Sequence, residues 1–142
     1  MVSNTEFKYD LGVVGLGYVG WPLAVEAASS SLKVIGFDIN SERVEMINNG
    51  HSPIEDISNE ELSKSLERFH STTESKKLSN CRNIVISVPT PLTDYQPDLS
   101  YVINAAKTVG ENLVENQVII LESTTYPGTT VEVLIPNLEN IS

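Results

Sequence analysis

The apolar positions of the chain fall into short continuous runs, and between these runs they recur at roughly helical spacing. Residues 11–14 form one run that leads into glycines, and residues 33–37 (Lys-Val-Ile-Gly-Phe) form a second that ends at Asp38. Short apolar runs of this kind mark parallel strands buried on both faces. Between them, residues 19–30 place Val19, Leu23, Ala24, Ala27 and Ala28 on one helical face, with side chains small enough for a helix to lie close on a sheet. The three segments predict one βαβ unit of about 30 residues. A second helix is predicted from Asn40-Ser41-Glu42, where a capping side chain precedes Glu42 and Glu45. Val44 and Ile47 share one of its faces, and Gly50 stops it.

Residues 51–58 are polar and include Pro53, which predicts a loop. Asn59-Glu60-Glu61-Leu62 then opens an amphipathic helix with Leu62, Leu66 and Phe69 inward. Residues 69–72 read as a short third strand and residues 75–80 as a short helix. Ile84-Val85-Ile86-Ser87-Val88, rich in β-branched residues and closed by Pro89-Thr90-Pro91, predicts a central strand. A helix follows over residues 99–113, with Val102, Ile103, Ala106, Val109 and Leu113 as its stripe. Residues 118–121 read as another buried strand and residues 129–138 as a last helix. Five strands alternating with helices predict an α/β fold, a Rossmann-like doubly wound and mainly parallel sheet in a single domain. The alternation stops before the sixth strand of such a sheet, so the domain is expected to be a truncated, N-terminal piece of a longer chain.

Composition narrows the partners more than it changes the fold. The chain has 142 residues, 40% hydrophobic and 20% charged, enough for one real core and too apolar for disorder. Nineteen acids against nine bases give a net charge of -10, and the bases are scattered from Lys8 to Lys107, so no basic stripe offers itself to nucleic acid. No apolar run approaches the roughly 20 residues that span a bilayer. Glu6 and Asp10 stand where a signal peptide would need its apolar core, and the single cysteine, Cys81, cannot form an internal disulfide. The expectation is a cytoplasmic protein with no membrane partner. His51 and His70 lack metal-ligand spacing and are expected on loops or the surface, with no metal.

The chemistry lies in the first βαβ unit. Gly15-Leu16-Gly17-Tyr18-Val19-Gly20 follows a strand and opens a helix. Gly15 permits the tight turn, Gly17 admits a pyrophosphate close to the backbone, and Gly20 lets the helix pack against the strand. A bound anion then meets the amides of the helix N-terminus, favoured by the macrodipole. Asp38, at the end of the next strand, accepts from a ribose 2′-hydroxyl and repels a 2′-phosphate, which points to NAD rather than NADP. Arg43 is placed to stack on the adenine or reach the ribose, although a solvated helix position is its plainer reading. The glycines by themselves also fit a turn with no ligand. Trp21 is expected to pack in the core, and Pro22 is tolerated in a first helical turn.

Three further stretches carry a family resemblance: Asn49-Gly50-His51-Ser52-Pro53-Ile54-Glu55, then Ser87-Val88-Pro89-Thr90-Pro91-Leu92 with Pro97-Asp98-Leu99-Ser100, then Glu122-Ser123-Thr124-Thr125-Tyr126-Pro127-Gly128-Thr129-Thr130. With the glycine motif they resemble the N-terminal NAD-binding domain of the UDP-glucose/GDP-mannose dehydrogenase family. The last stretch is most similar to the branch that oxidises UDP-N-acetylhexosamines, UDP-N-acetylglucosamine 6-dehydrogenases in particular.

The resemblance implies a soluble enzyme of nucleotide-sugar and polysaccharide biosynthesis. Its reaction would be an NAD-dependent, four-electron oxidation of the sugar C6 hydroxymethyl to a carboxylate through cysteine-bound intermediates. It also implies a homo-oligomeric parent whose substrate is a UDP-sugar. Val88, Pro89, Thr90 and Pro91 would line the nicotinamide half of the site, joined by Ser123 and by Thr124, whose hydroxyl would help hold the cofactor and a catalytic water.

The family's nucleophilic cysteine and its accompanying residues lie downstream, so the central helix and sugar-nucleotide domain are absent from these 142 residues and the fragment is expected to bind NAD without catalysis. Cys81 stands just before the strand over residues 84–88, away from any strand carboxyl end, and is expected to be structural. Another β-hydroxyacid-type NAD dehydrogenase and a non-catalytic NAD-binding module remain alternative readings of the same residues.

Overall fold

A computed structural model describes residues 6–54, 57–122 and 134–139 of the chain. Strand β1 (Tyr9–Val14) leads through the glycine turn into helix α1 (Gly20–Ser29). The chain returns beside β1, parallel to it, as β2 (Val34–Phe37), which is the expected βαβ unit. Helices α2 (Ser41–Asn48) and α3 (Asn59–Ser65) follow, and β3 (Phe69–Thr72) adds outside β2. A 3-10 turn (Ser75–Asn80) then carries the chain to the other side of β1, where β4 (Cys81–Ile86) pairs with it. A two-stranded hairpin of β5 (Leu92–Thr93) and β6 (Gln96–Pro97), helix α4 (Ser100–Glu111), strand β7 (Val118–Leu121) and helix α5 (Ile135–Glu139) complete the described chain. The main sheet is parallel, in the order β3-β2-β1-β4-β7.

The strand alternation sends side chains into two cores, one on each face. Val13 and Val34 join Trp21, Ala24, Ala28 and Leu62 on the α1 and α3 side, while Val14 and Ile35 join Ala106, Val109 and Leu138 on the α4 and α5 side. Trp21 is 0% exposed. Its ring meets Phe69 edge-on, centroids 5.3 Å apart, and its indole N–H donates to Ser52 Oγ at 3.1 Å. A buried indole needs that acceptor, and the bond ties the 51–58 loop to α1. The packing role expected of Trp21 is therefore met.

Several boundaries differ from the sequence expectation for local reasons. The buried face of α1 runs through Trp21, Ala24, Val25 and Ala28, with Leu23 and Ala27 only partly covered. Ser58, not Asn59, caps α3 by accepting from Glu61 N–H. Asn59 instead accepts from Ser52 N–H. That helix ends at Ser65, so Phe69 enters the core from β3 rather than from a helix face. In α4 the inward stripe gains Ala105 and Gly110, while Ile103 and Leu113 are half-covered. The expected strand over residues 84–88 starts earlier and leaves the sheet at Ile86, and it is an interior strand as expected, paired with β1 on one side and β7 on the other. Strand β7 is not buried: among the described residues it is an edge strand, with Val118 52% and Ile120 41% exposed. The hairpin was not expected from the sequence. Of the last predicted helix, residues 129–133 lie outside the described residues, and Ile135–Glu139 is helical.

Cys81 is the first residue of β4, opposite Tyr9, and fully buried. Its sulfur fills the space over Gly12, where an added Cβ would come within 2.7 Å of Sγ. Burial pushes the thiol from 9.0 up to about 12, and the thiolate is the reactive form. Cys81 is thus inert packing at the amino end of the sheet. Because the folded thiol gives up its proton less readily than the unfolded one, its contribution to stability is complete below about pH 9 and is lost as pH rises towards 12. Cys81→Ala should lose less stability than the wild type between these pH values, measured by urea unfolding. Native protein should also leave a thiol reagent unconsumed until it unfolds. Rapid labelling of the native thiol would contradict this packing.

Candidate cofactor site

Strand order reverses between β1 and β4, because the chain builds outward through β2 and β3 before crossing back. At such a switch point the loops leave the two strand ends in opposite directions and open a crevice at the carboxyl edge of the sheet. The glycine turn fills one wall of that crevice.

Gly15 has φ +95°, the left-handed region that a side chain resists, and a Cβ there would lie 2.7 Å from Ser87 O. Gly20, the first residue of α1, passes so close to Gly15 that a Cβ would overlap the Gly15 carbonyl oxygen. The third glycine therefore clears the turn itself as well as admitting the helix to the sheet. A Cβ on Gly17 would meet nothing within 4 Å, so this face of the turn is open to a ligand. Val19 occupies the N-cap position of α1 without a side-chain bond to the helix, and Tyr18 and Val19 are exposed. Trp21 N–H donates to Gly17 O at 3.0 Å, Leu23 N–H donates to Val19 O at 3.3 Å and Pro22 has no N–H, so it is the exposed helix end, free of a capping side chain, and its dipole that favour an anion there.

Leu16 has a different place from its neighbours. Its side chain is buried against Gly36 of β2, and its N–H donates to Asp38 Oδ2 at 2.9 Å. It anchors the turn rather than facing the crevice.

Asp38 is only 6% exposed and accepts three bonds: from Leu16 N–H, from Asn40 N–H at 2.8 Å and from the Arg43 guanidinium at 3.1 Å. The same guanidinium makes the site's ion pair. Arg43 is placed by its helix, since Asn40 Oδ1 caps α2 on Arg43 N–H at 3.1 Å. A carboxylate offers about four acceptor positions, so one remains for a hydroxyl. Ile39, 82% exposed beside Asp38, adds an apolar rim that the sequence reading missed.

On the β4 side, Gly17, Tyr18, Val19, Ser87, Val88, Pro89 and Thr90 line a cleft of about 200 Å³. Pro91 is not part of this lining. It is exposed, and its carbonyl accepts from Asp98 N–H at 2.7 Å at the base of the hairpin. Ser123 and Thr124 lie outside the described residues, although Glu122 N–H donates to Ile86 O and brings the end of β7 beside the end of β4. A larger depression of about 360 Å³ between Ser52 and Asn59 lies away from the strand ends, and its polar side chains are already bonded: Ser52 Oγ donates to Ile54 O, and Asn59 Oδ1 accepts from Ser52 N–H. Among the described residues no cluster of His, Cys, Asp or Glu could hold a metal, and no helix is long and apolar enough to cross a membrane.

An open glycine turn at a switch point, an uncapped helix and a braced acid at the end of β2 together define a dinucleotide-binding domain. The donors and the open face at Gly17 fit a pyrophosphate, and the acceptor at Asp38 fits a ribose. Comparison with known proteins agrees: the NAD binding domain of the UDP-glucose/GDP-mannose dehydrogenase family matches residues 9–142, and the chain belongs to that family.

The chain is 41% identical over 133 residues to a UDP-N-acetyl-D-glucosamine 6-dehydrogenase of Salmonella typhi, covering 93% of this chain and 31% of that protein. Among solved structures it is similar to a ternary complex of GDP-mannose dehydrogenase from Pseudomonas aeruginosa, with TM-score 0.88, 31% identity, and coverage of 93% of this chain and 32% of that one. The UDP-N-acetyl-mannosamine dehydrogenase of Pyrococcus horikoshii gives TM-score 0.86 at 38% identity, again with 93% and 32% covered. The chain thus spans about a third of the length of these relatives.

The glycine geometry separates two substitutions that look alike in sequence. Gly20→Ala should cost on the order of 2 kcal/mol or more, because backbone must move. Gly17→Ala should change stability by no more than about 0.5 to 1 kcal/mol and act on NAD affinity. Urea unfolding of both variants checks this, and equal stability losses would contradict the geometry.

Proposed function

We propose that this chain holds NAD as the N-terminal domain of a nucleotide-sugar 6-dehydrogenase, and that the whole protein oxidises a UDP-N-acetylhexosamine to its uronic acid. The observation that carries the reading is the Asp38 carboxylate, fixed between the glycine turn and Arg43 with an acceptor position to spare. The backbone of residues 15–20 would receive the pyrophosphate, and Asp38 with Arg43 would receive the adenosine ribose. Val88, Pro89 and Thr90, with Ser123 and Thr124, would border the nicotinamide. Negative charge on Asp38 disfavours a 2′-phosphate at that place, which supports NAD over NADP.

Bound there, the nicotinamide supplies a hydride acceptor at the carboxyl ends of the strands. Conversion of a hydroxymethyl to a carboxylate removes four electrons, so two NAD molecules serve each turnover. The intermediate at the aldehyde level needs a covalent hold between the two transfers. Cys81 cannot provide it, being buried and protonated at the amino ends of the strands. We assign the nucleophile and the groups that read the sugar nucleotide to a part of the protein beyond these 142 residues. In the same reading the parent is a cytoplasmic homo-oligomer and this domain by itself binds without turnover.

Asp38→Ala tests the cofactor assignment. Loss of an acceptor for a ribose hydroxyl is worth on the order of 1.5 to 3 kcal/mol, so NAD should bind roughly 10- to 100-fold more weakly. NADP, already disfavoured, should be affected less, narrowing the preference. Calorimetric titration of both nucleotides measures this, and unchanged curves for both would remove Asp38 from the site.

A further inference from the structure

Five polar or charged residues are buried among the described residues: Asp38, Ser65, Ser71, Thr72 and Ser87. Four have partners. Asp38 accepts three bonds, Ser65 Oγ donates to Glu61 O, Ser71 Oγ donates to Val44 O at 3.2 Å, and Thr72 Oγ accepts from Glu74 N–H at 3.0 Å. Ser87 is the exception. It is 7% exposed, its Oγ shows less than 1 Å² of surface, and that hydroxyl has no hydrogen-bond partner among the described residues. An unpaired buried hydroxyl is a cost that a folded chain does not need to carry, since alanine would fit the same space.

The orphan hydroxyl sits at one particular place. Ser87 is the first residue after β4, held by its N–H bond to Val14 O at 2.8 Å. Its carbonyl backs Gly15, and its Cβ would stand 3.1 Å from a Cβ on Gly20 at the start of α1. It also lines the cleft shared with Gly17, Tyr18 and Val19. The hydroxyl is thus beneath the turn, beside the helix end where an anion is favoured. A serine hydroxyl moves between staggered positions at little cost and can donate in any of them.

We propose that the Ser87 hydroxyl is a cofactor-binding group, donating to the diphosphate of the bound dinucleotide directly or through one enclosed water. This rests on the NAD reading above and adds to it a donor outside the glycine turn. Bonds to a charged oxygen are stronger than neutral ones, and the bond forms only when cofactor is present, so the free chain carries its cost.

The test compares wild type, Ser87→Ala and the near-isosteric Ser87→Cys in NMR titrations with NAD, ADP and adenosine, alongside thermal unfolding of each free protein. NAD and ADP, which contain the diphosphate, should bind roughly tenfold more weakly to both variants. Adenosine should bind within twofold of wild type, and the free variants should melt no lower than wild type because no protein bond is lost. Affinities for NAD and ADP within twofold of wild type would overturn the proposal while leaving NAD binding intact. An equal loss for adenosine, with a lower melting temperature, would mark Ser87 as packing and overturn it too. A wild-type chain that binds none of the three would overturn the cofactor reading itself and this proposal with it.

Discussion

The hydrogen bond from Leu16 N–H to Asp38 Oδ2, 2.9 Å long and buried, joins the turn after β1 to the end of β2. A turn of three glycines has little side chain with which to hold itself, and glycine loses more freedom on folding than any other residue. This one is fixed by the bond from Gly15 N–H to Phe37 O at 2.8 Å, by the Leu16 side chain packed on Gly36 and by the Asp38 carboxylate. Without that acceptor, a buried N–H would be stranded at a cost of about 1 to 3 kcal/mol. The acid that recognises a ribose in such folds is here also a structural part of the pyrophosphate turn. The position of the turn and the orientation of the Asp38 carboxylate are therefore coupled through one buried bond.

The rest of the site follows from how closely the turn must approach β4. Gly15 and Gly20 let the chain pass against Ser87 and against each other with no room for a Cβ. This brings the start of α1 over the β1–β4 switch point and closes a small cleft between the turn and residues 87–90. Arg43 completes the arrangement from the other side. Its ion pair with Asp38 is partly buried, where charge pairing is less screened than at a surface, and the Asn40 cap orients the helix that carries it.

The βαβ unit and α2 were legible because their signals are local: apolar runs, small residues at helical spacing, a capping Asn and a stopping Gly50 with φ +83°. The hairpin was not, because its turn residues Asp94 and Tyr95 both take positive φ, 52° and 63°, where a glycine would have signalled the turn. The exposure of β7 was hidden for another reason: an apolar run such as Val118-Ile119-Ile120-Leu121 reads the same whether one face or two are covered.

That the glycine turn, Asp38 and Arg43 come together could be read from spacing, but the sharing of one carboxylate among three donors could not. Leu16 and Pro91 were expected to face cofactor because they lie inside a motif. Motif membership does not say which way a side chain turns. Ser87 did leave a trace, as the hydroxyl within the apolar run 84–88, and its lack of a partner became visible only in three dimensions.

In the proposed complex NAD lies across the β1–β4 switch point, between the glycine turn, the end of β2 and the loop after β4. Backbone amide shifts of the isotope-labelled chain during an NAD titration locate the ligand most directly. Saturable shifts should concentrate at residues 15–20, 38–43 and 87–90, with residues 52–59 and the amino end of β4 unmoved. Saturable shifts centred on residues 52–59, or the absence of shifts around Gly17, would contradict this placement.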